Sequence, residues 1–218
     1  MGCNVFGEPI TDKLILRGME EYEKYTVKQW ERARAALEGK NEGDKDTKAR
    51  QYVEKLRQEW GDRACTLCLI YNATGSNVVL VTTHDFHGRI GHGPYPIMIE
   101  NGQWGAFLHG RTPQEYTGSS AAVVYRGKNR EELPCDWMLA WSNPWDRFEW
   151  KNKAYTEIGE ATRYQRTNDV WNTVSSNVNE SGTYHSNMWN GCASYVSIGN
   201  DNAALLEAIL TLKDAIDY

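Results

Sequence analysis

CDWMLAWSNPWDRFEWKNKAY, residues 135 to 155, holds four of the nine tryptophans and decides the fold. Strand alternation sends Trp137, Leu139 and Trp141 to one face of DWMLAW and Met138 and Ala140 to the other. Both faces are apolar, which predicts a central strand of a layered sheet rather than one side of a solvated hairpin. Asn143-Pro144 then ends the strand, because proline donates nothing to a ladder and pushes the residue before it into an extended or turn conformation. Trp145, Asp146, Arg147, Phe148 and Trp150 follow as an aromatic loop. A cluster of that kind either plugs the end of a core or forms a ligand platform.

The surrounding chain predicts an antiparallel sandwich around this strand. Extended patterns fall at Ala64 to Tyr71, Asn77 to Thr83, Trp104 to His109, Ser119 to Arg126, Asp136 to Ser142, Ala154 to Ile158 and Trp189 to Ile198. Turn signals such as Asn101-Gly102 and Gly127-Lys128-Asn129 separate the earlier ones, with no helical pattern between. Asn168 to Asn177 reads as either a short helix or a loop. Ala203 to Ile216 fits helical spacing as well as a closing strand, and the strand is the preferred reading.

Upstream the character differs. Of 53 charged side chains, 26 lie in the first 63 residues, 13 of each sign, as in solvated helices. Thr26-Val27-Lys28-Gln29 has the spacing of a capping box and precedes Trp30, Ala33, Leu37 and Gly39, predicting a helix over Val27 to Glu38. Ala49, Tyr52, Val53, Leu56 and Trp60 predict a second over Lys48 to Trp60. The expected division is a helical extension over 1–63, of two short helices, and a β-sandwich domain over 64–218.

Composition excludes several functions. The 218 residues carry a net charge of -5, so no basic footprint for nucleic acid is visible. No run approaches the ~18 apolar residues of a transmembrane segment, and no secretory h-region follows Met1, so a cytoplasmic protein without a signal peptide is expected. Met1-Gly2-Cys3 is a poor acylation start, since Phe6 stands where the pattern needs Ser or Thr. Five cysteines then read as reduced thiols, and the sequons at Asn72 and Asn179 as unused.

Few motifs carry chemistry. Cys65-Thr66-Leu67-Cys68 lies on a strand pattern, which turns its thiols to opposite faces and suits two small core residues better than a redox or zinc site. His84, His87 and His92, in THDFHGRIGHG, fall on a glycine-rich loop and match no zinc spacing. No cofactor, metal or catalytic set is expected, and the reading is non-enzymatic, with a metal-dependent or thiol enzyme as the minority alternative. That leaves the aromatic loop, where Ser142, Trp145, Asp146 and Trp150 could shape a site stacking indoles on a sugar or a quaternary ammonium. The alternative makes Trp145 and Trp150 a core plug with Asp146 and Arg147 paired above it.

Much of the chain resembles the plant family of 23 kDa jasmonate-induced proteins. The likeness is carried by TLCLIYNATG, HDFHGRIG, PYPIMIENGQWGAFLH, TGSSAAVVYRGKN, CDWMLAWSNPW and WNGCASYVSIG. A stress- and jasmonate-responsive defence role is what it implies. A fainter resemblance, to actinoporins and aegerolysin-type sandwiches, rests on Ser142-x-Pro144-Trp145-Asp146 after an apolar strand. It implies an actinoporin-like β-sandwich taking up a phosphocholine-type headgroup through Ser142, Pro144, Trp145, Asp146 and Trp150, and through Ser119, where Gly118-Ser119 opens the neighbouring strand. Arg147, Phe148 and Glu149 depart from that pattern, which is richer in tyrosine. Lys48 to Trp60, placed like a pore-forming helix, is too charged to enter lipid. The leading expectation is a protein binding a glycan or lipid headgroup through its aromatic loop. A membrane-active cytolysin and a structural or self-associating homo-oligomer are the alternatives.

Overall fold

The computed structural model describes residues 4–16, 26–146, 150–167 and 169–217. In chain order the strands are β1 (Val5–Phe6), β2 (Cys65–Ala73), β3 (Val78–His87), β4 (Arg89–Ile90), β5 (Met98–Ile99) and β6 (Trp104–Gly110), then β7 (Ser119–Lys128), β8 (Pro134–Asn143), β9 (Lys153–Glu160), β10 (Tyr184–Trp189), β11 (Cys192–Ile198) and β12 (Ala203–Leu212). The helices are α1 (Asp12–Ile15), α2 (Gln29–Glu38), α3 (Lys45–Trp60), α4 (Arg163–Arg166) and α5 (Asp169–Glu180). One sheet has the order β1-β6-β2-β12-β11-β10, with β4 also on β6, and the other has the order β5-β3-β7-β8-β9.

The two faces expected of β8 are both buried, each against a different layer. Trp137, Leu139 and Trp141 meet Cys68, Ile70, Phe107, Ala208 and Leu210 between the sheets. Met138 and Ala140 join Ala122 and Val124 on the outer face, where α5 covers them with Trp171, Val174 and Val178. Those three recur at helical spacing, so the segment left open between helix and loop forms a helix because it has a sheet to cover. Across the molecule, Leu67, Leu69, Tyr71 and Trp104 face Ala36 of α2 and the α3 stripe Ala49, Val53, Leu56 and Trp60. The layers therefore run helices, seven-stranded sheet, five-stranded sheet, helix. Among the described residues no helix is long and apolar enough to cross a membrane.

Several expectations are corrected. The helix predicted from Val27 begins at Gln29, whose buried side-chain amide donates to the Thr74 and Lys128 carbonyls instead of closing a capping box with Thr26. Glu31 caps in its place, accepting the Lys28 N–H at 2.8 Å. The first 63 residues also supply α1 and a strand, since Val5 and Phe6 of β1 pair with Gly105 and Trp104. Trp189 to Ile198 is a hairpin rather than one strand: Asn190 and Gly191 both take positive φ (+46° and +76°), which makes the two-residue turn between β10 and β11. β3 runs on through two register shifts to His87, so His84 and His87 sit in a ladder and not on a loop. Ala203 to Leu212 is the preferred closing strand, but it pairs in parallel with β2. β2 and β12 are joined through all the strands between them, so no hairpin obliges them to run antiparallel.

Candidate functional site

Strand pairing builds the site at one end of the five-stranded sheet. Ser119 pairs with Asn143, so the residues before β7 lie beside those after β8. The buried Asn143 side chain donates to the Cys65 and Asn202 carbonyls at 2.8 and 3.0 Å, tying the end of β8 to the other sheet. Gly118 has a φ of +99°, and a Cβ there would stand 2.3 Å from the Asn143 carbonyl oxygen and 2.8 Å from the Trp145 nitrogen. The Pro144–Trp145 backbone can approach this closely because residue 118 is glycine.

Ser142, Pro144, Trp145, Asp146 and Trp150 all line one pocket of about 270 Å³, just under the usual range of small-ligand sites. Phe86, His87, Tyr116, Lys151, Lys153, and Ser175 and Asn179 of α5 also line it. Trp145 and Trp150 are 46% and 58% exposed, and Tyr116 is 72% exposed. These indoles are thus rim rather than core plug. Tyr116 meets Trp145 edge-on at 5.0 Å, and the Arg111 guanidinium lies 6.0 and 5.7 Å from their ring centroids. The Lys153 ammonium is held by the Asn179 carbonyl. The suggested pairing of Asp146 with Arg147, and the departures at Arg147, Phe148 and Glu149, lie outside the described residues.

Ser119 does not join them. One residue out of phase with the pocket, it is fully buried and its neighbour Ser120 takes the lining position. The Ser119 hydroxyl sits 2.9 Å from both His109 Nδ1 and Thr66 Oγ1, donates to the His109 carbonyl at 3.0 Å and accepts from Trp141 Nε1 at 3.2 Å. His109 Nε2 in turn lies 3.3 Å from Asp85 Oδ1. Ser, His and Asp thus stand in the order of a hydrolase triad, but a serine and a histidine with no accessible surface, the former surrounded by four polar partners, leave no room for a substrate carbonyl. The row ties β3, β6 and β7 together beneath the pocket. The His109 imidazole 3.3 Å away, outweighing burial, holds the Asp85 carboxyl below its usual range.

The remaining candidates disperse. His84 stacks on Trp171 at 4.7 Å and 3°, His87 faces the pocket, and His92 meets Trp60 at 6.3 Å, so the three do not share a site. Cys68 lies between the sheets and Cys65 under the helices, as their spacing on a strand demands. Burial pushes the Cys65 thiol up to about 11. Sequence reasoning missed Tyr116, Arg111, Lys151 and Lys153. Tyr116 was findable, since Tyr116-Thr117-Gly118 enters the strand that hairpins with β8.

Comparison with known proteins fixes the family. The model of the Nakanori-like proteins matches residues 6–213. The chain belongs to the Nakanori-like protein family. A Nakanori crystal structure, described as that of a lipid binding protein, superposes with a TM-score of 0.82 over 94% of this chain and 98% of its own, at 25% identity. The 23 kDa jasmonate-induced protein of Hordeum vulgare is 39% identical over 165 residues, 75% of this chain and 76% of that protein. A jasmonate-induced protein homolog of Atriplex canescens is 29% identical over 106 residues, 48% of this chain and 55% of that one. The expected likeness to the jasmonate-induced family is therefore found. This Nakanori-like chain is a mainly β sandwich, with helices packed on both outer faces.

Proposed function

We propose that this chain is a non-enzymatic protein of the jasmonate and stress response that binds a phosphocholine-type lipid headgroup in the pocket beneath Trp145 and Trp150. The observation that carries the reading is the convergence of three exposed aromatic rings, two lysines and one aspartate on a single concavity. Adjacent exposed rings of this size are costly in water and mark a contact surface. Aromatic faces hold a quaternary ammonium with about 0.5–2 kcal/mol each, and Asp146 adds an opposite charge. Lys151 and Lys153 supply charge-assisted donors for a phosphate. A rim of Trp and Tyr suits the interfacial zone of a bilayer, where ring bodies enter the apolar layer and polar edges stay wet.

A lipid headgroup is favoured over a neutral glycan because its phosphate gives Lys151 and Lys153 an anion to bind, which a sugar does not carry. The description of the Nakanori structure as lipid binding supports the same choice. A pore-forming role fits less well. The apolar stripe of α3 is already packed on the seven-stranded sheet, and its outer face carries charges that cost about 2.5 kcal/mol or more each at a bilayer centre. The test is co-sedimentation with phosphatidylcholine vesicles, competed by free phosphocholine, alongside a glycan array and a dye-release assay. Binding to the vesicles without dye release is expected. Glycan binding without vesicle binding, self-association in place of either, or dye release would overturn the reading.

A further inference from the structure

Cys135 and Cys192 face each other from opposite sheets with their sulfurs 3.7 Å apart. Both are fully buried and both are free thiols. They lie 57 residues apart in sequence, on β8 and β11. Each stands at the end of its strand. Cys135 follows the exposed Pro134, and Cys192 follows the Asn190–Gly191 turn. The two ends are packed together, since a Cβ at Gly191 would meet the Arg130 side chain of the β7–β8 connection at 2.6 Å. A disulfide needs sulfurs at about 2.05 Å, so the gap closes by roughly 1.7 Å, a movement that falls at strand ends beside a tight turn and not in mid-ladder. The other described cysteines have no such option, because Cys65 and Cys68 occupy different layers.

We propose that Cys135 and Cys192 are an oxidation site that closes into a reversible disulfide between the two sheets when the protein meets a peroxide. The chemistry balances without any other reactant. One thiol gives up its proton and its sulfur attacks hydrogen peroxide, forming a sulfenic acid and hydroxide, which takes up that proton as water. The second sulfur then attacks the sulfenic sulfur, and the departing oxygen leaves as a second water with the hydroxyl hydrogen and the second thiol's proton. Two thiols are oxidised by two electrons and one peroxide is reduced to two waters. Contact with Cys192 and burial together hold the Cys135 thiol well above its usual range, so the reaction is slow at neutral pH and faster in mild alkali. The bond would staple the sheets at the end of β8 away from the pocket, and headgroup binding does not depend on it.

The experiment treats the reduced full-length chain with hydrogen peroxide at mildly alkaline pH. Remaining thiols are alkylated after denaturation, and the digest is read by mass spectrometry. A peptide linking Cys135 to Cys192 is expected, cleaved again by dithiothreitol and missing from Cys192→Ala. The melting temperature should rise by roughly 5–10 °C in the oxidised protein and return on reduction. Full alkylation of both cysteines after hours in peroxide, a bridge joining other cysteines, or an oxidised form that melts below the reduced one would each overturn the proposal.

Discussion

Replacing Gly118 by alanine tests how the aromatic loop is held. The added Cβ must adopt a φ of +99° and would stand 2.3 Å from the Asn143 carbonyl oxygen, 2.8 Å from the Trp145 nitrogen and 2.9 Å from the Pro144 Cα. Every clash is with backbone, so no side chain can swing aside. Left-handed backbone costs a Cβ-bearing residue about 1–2 kcal/mol. Relieving the overlap requires the loop to retreat by about 1 Å, at roughly 1–3 kcal/mol by comparison with overpacked cores. β7 and β8 are anchored by layers on both faces, so the loop yields and Trp145 leaves its place against Tyr116 and Arg111. The sum is a stability loss of roughly 2–4 kcal/mol, less than the two terms' upper limits because the loop is free on its solvent side. One lost aromatic contact of about 0.5–2 kcal/mol corresponds to a headgroup affinity roughly 2- to 30-fold weaker. Urea titration and vesicle co-sedimentation read the two effects. A Gly118→Ala protein with wild-type stability and wild-type affinity would refute the claim that this close approach shapes the site.

Ser119→Ala should separate the buried row from the pocket, losing about 1–3 kcal/mol in urea titration as His109, Thr66 and Trp141 lose a shared partner. Its vesicle affinity should stay at the wild-type value. Asp85 has its pKa depressed in the folded chain, so its contribution to stability is present above the unfolded value near 3.8 and disappears as the pH falls through the folded value. Thermal melts in acid should therefore show a shallower pH dependence for Asp85→Asn than for wild type, and parallel profiles would contradict this. Trp171→Ala should cost about 3–5 kcal/mol and raise amide exchange throughout α5, because the side chain fills the outer face of the five-stranded sheet and stacks on His84.

The parts of the fold legible in the sequence are those set by a single periodicity. Alternation in β8 gave both of its faces correctly because both are buried, and Cys65 and Cys68 separated by the same rule. Features set by pairing at a distance were not legible. The parallel partnership of β2 with β12 joins residues well over a hundred positions apart, Cys65 with Ala203 for one, and no local pattern encodes it. The register shifts in β3 break the alternation that would have carried the strand to His87. Ser119, expected in the site from the resemblance at the start of its strand, turns inward, because a one-residue change of phase exchanges the two faces of a strand. Five residues of the aromatic turn do meet in one pocket, since proline, serine and tryptophan after a core strand form a local signal. Tyr116 reaches the same pocket beside the β7–β8 hairpin, whereas Arg111 comes to the Tyr116 and Trp145 rings from the end of β6, which no local pattern encodes.

The most direct measurement compares wild type with the Trp145→Ala/Trp150→Ala double variant on phosphatidylcholine vesicles, with circular dichroism and thermal melts confirming the same fold. Both side chains are half-exposed rim, so the melting temperature should be nearly unchanged while vesicle binding falls to background. A double variant that binds these vesicles as tightly as wild type would contradict the account.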